Sequence, residues 1–79
     1  MTETEYVNTM AALTVALEEG RTGEDASNRV VALGATPYTR GEIEAFVVPL
    51  RKDPERWAGI TLKVDKRIGE LKANSRPSR

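Results

Sequence analysis

Neither cysteine nor histidine occurs in the 79 residues of this chain. The first absence removes any disulfide framework and any thiolate metal site that could supplement a small core. The second removes the commonest general base, the commonest metal ligand and the one side chain that ordinarily titrates near neutral pH. Aromatic residues are scarce, with one Trp, one Phe and two Tyr, and the hydrophobic fraction of 39% is slightly below average. The composition is still foldable and far from the signature of disorder. Long hydrophobic runs are also missing. The longest uncharged stretch, Tyr6 to Leu17, is too short and too polar to span a bilayer, so no membrane partner is expected. Met1-Thr-Glu-Thr-Glu5 lacks the positive region that opens a signal peptide, and the expectation is a cytoplasmic protein.

A chain of this length makes one domain, which buries about 60 to 65% of the surface exposed by its unfolded form. Its charges are split along the sequence. Residues 1–50 hold Arg21, Arg29 and Arg40 against eight acidic groups, and residues 51–79 hold nine basic groups against Asp53, Glu55, Asp65 and Glu70. A neutral total thus conceals halves of opposite sign. Such a split suits a basic surface for an acidic partner, or an acidic front and basic back that neutralise each other within the fold or a homo-oligomer.

Four helices are expected. Thr2-Glu-Thr-Glu5 fits a capping box, after which Tyr6, Met10, Leu13 and Leu17 recur at helical spacing and Gly20 supplies a left-handed stop. Glu18 and Glu19 sit unfavourably at the negative end of that helix dipole, a position that basic groups from elsewhere can answer. Glu24 and Asp25 open a second helix of about ten residues, buried through Ala26, Val30 and Leu33 and ended by Gly34. Thr39-Arg-Gly-Glu42 is a second capping box, followed by Ile43, Phe46, Val47 and Leu50; Pro49 should stop or kink this helix near Val48. Asp53-Pro54-Glu55 then gives an N-cap, a proline at the first helical position and a first-turn carboxylate. Trp57, Ile60, Val64, Ile68 and Leu71 carry one stripe down this fourth helix. Gly59 and the alternation of Ile60 to Val64 offer a strand as the competing assignment there, although a lone strand would have no partner. The expected fold is all-α: a compact bundle of about four short helices over residues 1–74, with a disordered basic C-terminal tail over residues 75–79.

Catalytic constellations are absent from the pattern. Glu42 with Glu44 and Asp53 with Glu55 are explained as first-turn helix residues. A hydroxyl nucleophile would have only lysine as its base, and neither Ser-x-x-Lys nor Gly-x-Ser-x-Gly occurs. The glycines do not form a P-loop, and no carboxylate spacing fits an EF-hand, so no cofactor or metal is expected.

A basic patch is the sharper candidate. Lys63, Lys66 and Arg67 lie within about one helical turn, away from the Val64, Ile68 and Leu71 stripe, with Lys72, Arg76 and Arg79 beyond them. Three explanations compete: a solvated face complementing the helix dipole, a surface for an acidic protein, and a nucleic-acid contact. Trp57 is read as core, with an exposed binding anchor as the alternative.

Residues 57–71 resemble the second half of a helix-turn-helix, in which Gly59 would make the turn and Thr61 would cap a recognition helix. That pattern ordinarily has one more residue between the capping hydroxyl and the buried valine, and a small residue where this chain has Glu55. The resemblance implies Lys63, Lys66 and Arg67 on phosphates or base edges. The order of Tyr38-Thr, Phe46-Val and Ile60-Thr pairs also resembles a short phage tail-associated family, and no function is carried over from it. Taken together, the residues favour a non-enzymatic small binding protein, an inhibitor or regulator of the phage or mobile-element type that occupies a macromolecular partner. An acidic protein surface is the favoured target. A DNA-binding regulator and a structural subunit of a phage-type assembly are the alternatives.

Overall fold

The computed structural model describes residues 1–75, with side chains through residue 73. Four helices follow one another: α1 (Glu3–Glu18), α2 (Gly23–Ala32), α3 (Arg40–Leu50) and α4 (Pro54–Ser75). The all-α expectation holds, and the fourth helix is a rod of 22 residues rather than a short element. It runs unbroken through Gly59 and through Ile60 to Val64, so the competing strand is absent.

Local chemistry sets the helix ends. Thr2 and Thr39 each form the full capping box, their hydroxyls accepting from the backbone N–H of Glu5 and Glu42 while those carboxylates accept from the threonine N–H groups. Asp53 accepts from the Arg56 N–H at 3.3 Å ahead of Pro54. Two helices stop in the same way. After α1 the Arg21 N–H donates to the Ala16 carbonyl and Gly20 N–H to Leu17, and after α2 the Ala35 N–H donates to Val30 and Gly34 N–H to Val31. These paired bonds are Schellman motifs, which need a left-handed residue; Gly20 at φ 81° and Gly34 at φ 84° provide it. Pro49 does not stop α3 at Val48. It lies one residue before the end, so its missing N–H costs a single bond and the helix closes at Leu50.

α1 is the central helix, packed most extensively on α4 and then on α2. It is buried on more sides than a single stripe implies: Tyr6, Thr9, Ala11, Ala12, Val15 and Ala16 are all sealed. The large side chains expected to lead that core do not. Met10 and Leu13 are half-buried, and Leu17 is 53% exposed. Small residues occupy the middle because they let neighbouring helices approach closely, leaving bulky ones to the margins.

Two clusters form the core. One joins Ala11, Ala12 and Val15 of α1 to Val30 of α2 and Leu71 of α4. The other joins Tyr6 of α1 to Val47 and Leu50 of α3 and Ile60 of α4, with Phe46 and Trp57 packed against it. The expected core residues Val30, Val47 and Leu71 are buried, and Leu33, Ile43, Phe46, Val64 and Ile68 pack around them. Because Tyr6 meets Ile60 in one cluster and Val15 meets Leu71 in the other, α1 and α4 run in the same direction.

Candidate functional site

That parallel pairing decides the fate of the basic face. Lys63 Nζ donates to Glu3 Oε2 at 2.6 Å, with Arg56 4.0 Å from the other oxygen, and Lys72 Nζ reaches Glu18 at 2.8 Å. Beside Glu18, Arg29 grips both oxygens of Glu19, at 2.9 and 3.1 Å, while Arg21 bridges Glu19 and Asp25. The carboxylates at the end of α1 are therefore answered from α2 and α4. Between the opposed halves of the sequence, Arg56, Lys63 and Lys72 meet Glu3 and Glu18, while Glu19 and Asp25 are met by arginines of their own half.

The Lys63 bond holds the Glu3 carboxyl below its ordinary value, and the Arg29 bond does the same to Glu19. Such exposed pairs tune orientation more than stability.

Of the basic residues singled out from the sequence, Arg67 pairs with Glu70 at 3.3 Å along its own helix, and Lys66 pairs with no carboxylate among the described residues. Lys63, Lys66 and Arg67 do come together, lining a recess of about 360 Å³ between α1 and α4, but Glu3 and Glu70 line it too. Lys72 stands apart with Glu18. Arg76 and Arg79 lie outside the described residues.

The turn expected at Gly59 is absent. Residues 57–61 are continuous helix, and the Thr61 hydroxyl donates to the Trp57 carbonyl one turn back at 2.9 Å instead of capping a new helix. An isolated recognition helix starting at Thr61 therefore does not exist. The i−4 bond is a common way for a mid-helix threonine to satisfy its hydroxyl, and sequence spacing does not distinguish it from a cap.

Trp57 is half-buried and packs against the second core cluster, as its core reading expects. Its ring lies 6.3 Å from that of Tyr6, which stacks on Phe46 at 5.1 Å. The other side of this aromatic group opens into a second recess, a groove of about 390 Å³. Its walls follow helical spacing. Tyr6, Met10 and Leu13 face it from α1, Ile43 and Val47 from α3, and Trp57 from the start of α4. Volume and apolar lining both fall within the range of ligand-binding clefts.

Polar groups stand at the rim. Arg40 and Arg51 bracket α3, Glu44 lies between them, and Tyr38 precedes them. Neither arginine belongs to an ion pair among the described residues. Tyr38 is fixed by the α1 capping box, its hydroxyl donating to Glu5 Oε2 at 2.8 Å. The bond to Glu5 raises the Tyr38 phenol, and Glu5 is lowered first by the Thr2 N–H and then by Tyr38. Burial pushes the Tyr6 phenol up, against the opposing charge of Arg51. Thr9 adds a second anchor, donating to the Thr36 carbonyl at 2.9 Å from a site 2% exposed. The α2–α3 connection is thereby pinned to α1, which positions α3 as one wall.

Sequence reasoning singled out Trp57 and Tyr38, which line this groove, and did not single out Arg40, Arg51 or the α1 wall. The available signal was that Met10 and Leu13 exceed what a core of alanines can hold. Among the described residues no group of three or more acidic side chains gathers as a metal site, and no helix is long and apolar enough to cross a membrane. Comparison with protein-family models, curated proteins and solved structures finds no match.

Proposed function

We propose that this chain is a non-enzymatic binding protein, an inhibitor or regulator that works by occupying a protein partner through the groove between α1 and α3. One observation supports this above the others: an aromatic-floored apolar groove whose rim carries two arginines outside any ion pair among the described residues. Apolar surface contributes affinity, and charge at the rim selects partners and speeds encounter. The α4 face is the weaker docking surface, because its cations already hold Glu3, Glu18 and Glu70.

Affinity capture from an extract of the source organism, with wild-type protein and an Ile43→Lys variant as paired baits, tests the proposal. Ile43 is a half-buried groove wall, and circular dichroism checks that the variant folds. A protein retained by wild type and lost from the variant is the expected result; identical captures from folded baits would overturn it. Mixed-sequence duplex DNA should bind wild type and a Lys63→Glu, Lys66→Glu, Arg67→Glu variant equally weakly. Tight, salt-sensitive binding abolished in that variant would assign the function to nucleic acid instead.

A further inference from the structure

The groove's rim carries more information than its volume. Arg40 is the first residue of α3 and Arg51 its C-cap, so eleven helical steps place their backbones about 16 Å apart along the axis. Both side chains reach the same groove, one from each end, and Ile43 and Val47 lie between them with Glu44. Charge along this wall therefore runs positive, negative, positive over an apolar base.

From this pattern we infer that the occupant is an amphipathic helix of the partner: apolar anchors at i, i+3 or i+4 and i+7, a carboxylate at each end of that run, and none in its middle. The inference rests on the groove being the docking site and adds the chemistry of what docks. Carboxylates spaced seven to eleven residues apart on a helix lie about 10 to 16 Å apart, within the span that two flexible arginines bracket. The anchors fill the space over Tyr6 and Trp57, which is how helices lie in apolar grooves. Glu44 repels a central carboxylate and so fixes the register. Within this chain an acidic, apolar, acidic order occurs in α1, from Glu5 to Glu18, and in α4, from Glu55 through Trp57, Ile60 and Val64 to Asp65. Apolar positions of both runs pack into the two core clusters, so a second folded copy does not offer them as an anchor stripe.

Three synthetic helical peptides test the inference: one with Glu at both ends of a Leu-anchored run, one with Lys at both ends, and one with the two Glu moved to the middle. Trp57 is the only tryptophan, so its emission reports binding at the groove. The first peptide should bind about tenfold more tightly than the others at low salt, with the advantage shrinking as ionic strength rises. An Arg40→Glu, Arg51→Glu protein should invert the order and prefer the Lys-ended peptide. Equal binding of all three, no response to any, or an unchanged order in the double variant would overturn the inference. Wild-type self-association abolished by the double variant would also overturn it, assigning the groove to a second copy. If the paired baits differ while the peptides do not, this inference alone fails; if the folded baits capture identically, the groove reading fails with it.

Discussion

The two ends of the bundle are built on opposite principles. Around Ala11, Ala12 and Ala16, each 0% exposed, α1 meets its neighbours through small side chains with Val15, Val30 and Leu71 filling between them. Around Tyr6, Phe46 and Trp57 the side chains are large, and α3 makes sparse contact with α4. Close approach leaves no space to fill; bulky rings hold α3 away and leave an open groove. A single helix, α1, lines both ends, so the contrast arises from which residues it shows to each neighbour. The groove therefore follows from the packing as a whole and is not a local defect of α3.

Substitutions can break or sharpen this contrast. Ile60, 1% exposed beneath the aromatic group, tests whether the open end still has a true core under it. Ile60→Ala should cost about 2 to 5 kcal/mol in chemical denaturation, the range for a buried aliphatic truncation that leaves a cavity. A loss near zero would mean that the open end contributes little to folding.

Added bulk gives the most direct contrast. Ala12→Leu at the closed end should cost about 1 to 3 kcal/mol through overpacking. Val47→Ile, at a buried residue that borders the groove and so has space beside it for one more methyl, should cost less, under about 1 kcal/mol. Comparable denaturation midpoints for the two variants would remove the distinction between the ends.

Thr9→Val probes how the groove wall is held. Loss of the hydrogen bond to Thr36 should cost about 1 kcal/mol and raise amide exchange in the α2–α3 connection while leaving the α1–α2 contact protected. Uniform exchange changes across the molecule would contradict a local anchor.

The smallest expected effect concerns acid. Glu3, Glu5, Glu19 and Glu42 are all held below the ordinary carboxylate value of 4.5, chiefly by Lys63, the Thr2 N–H, Arg29 and the Thr39 N–H respectively. A lowered folded value means that the unfolded chain binds more protons as pH falls through this range. The stability from these groups is therefore present above about pH 4.5 and lost below it. Thermal melts from pH 7 to pH 3 should show this decline, softened in Glu42→Gln; no change in melting temperature across that range would refute the assignment.

Much of the helical plan was legible because its signals are local. A capping box, a proline at the first helical position or a glycine at a Schellman stop acts within a few residues, so Thr2, Thr39, Pro54, Gly20 and Gly34 could be read directly. The candidate site was less legible. Trp57 drew notice as a lone tryptophan, whereas Arg40 and Arg51 are ordinary surface arginines until α3 is propped beside α1. Conversely, Lys63 and Lys72 looked like free basic groups because their partners, Glu3 and Glu18, are 60 and 54 residues away in the sequence.

Sequence alone determined the number of helices, their capped starts, the two glycine stops and the pool of apolar side chains, because each follows from propensity and spacing within a few residues. It also determined that two halves of opposite charge would need an answer. Only the tertiary structure decided that α1 and α4 run in parallel, so that Lys63 and Lys72 meet Glu3 and Glu18. It likewise decided which face of α1 is sealed, because alanine declares no preference until a neighbouring helix comes close. Burial and charge pairing are properties of surfaces brought together across the chain, and the groove with its two arginines exists only where three helices meet.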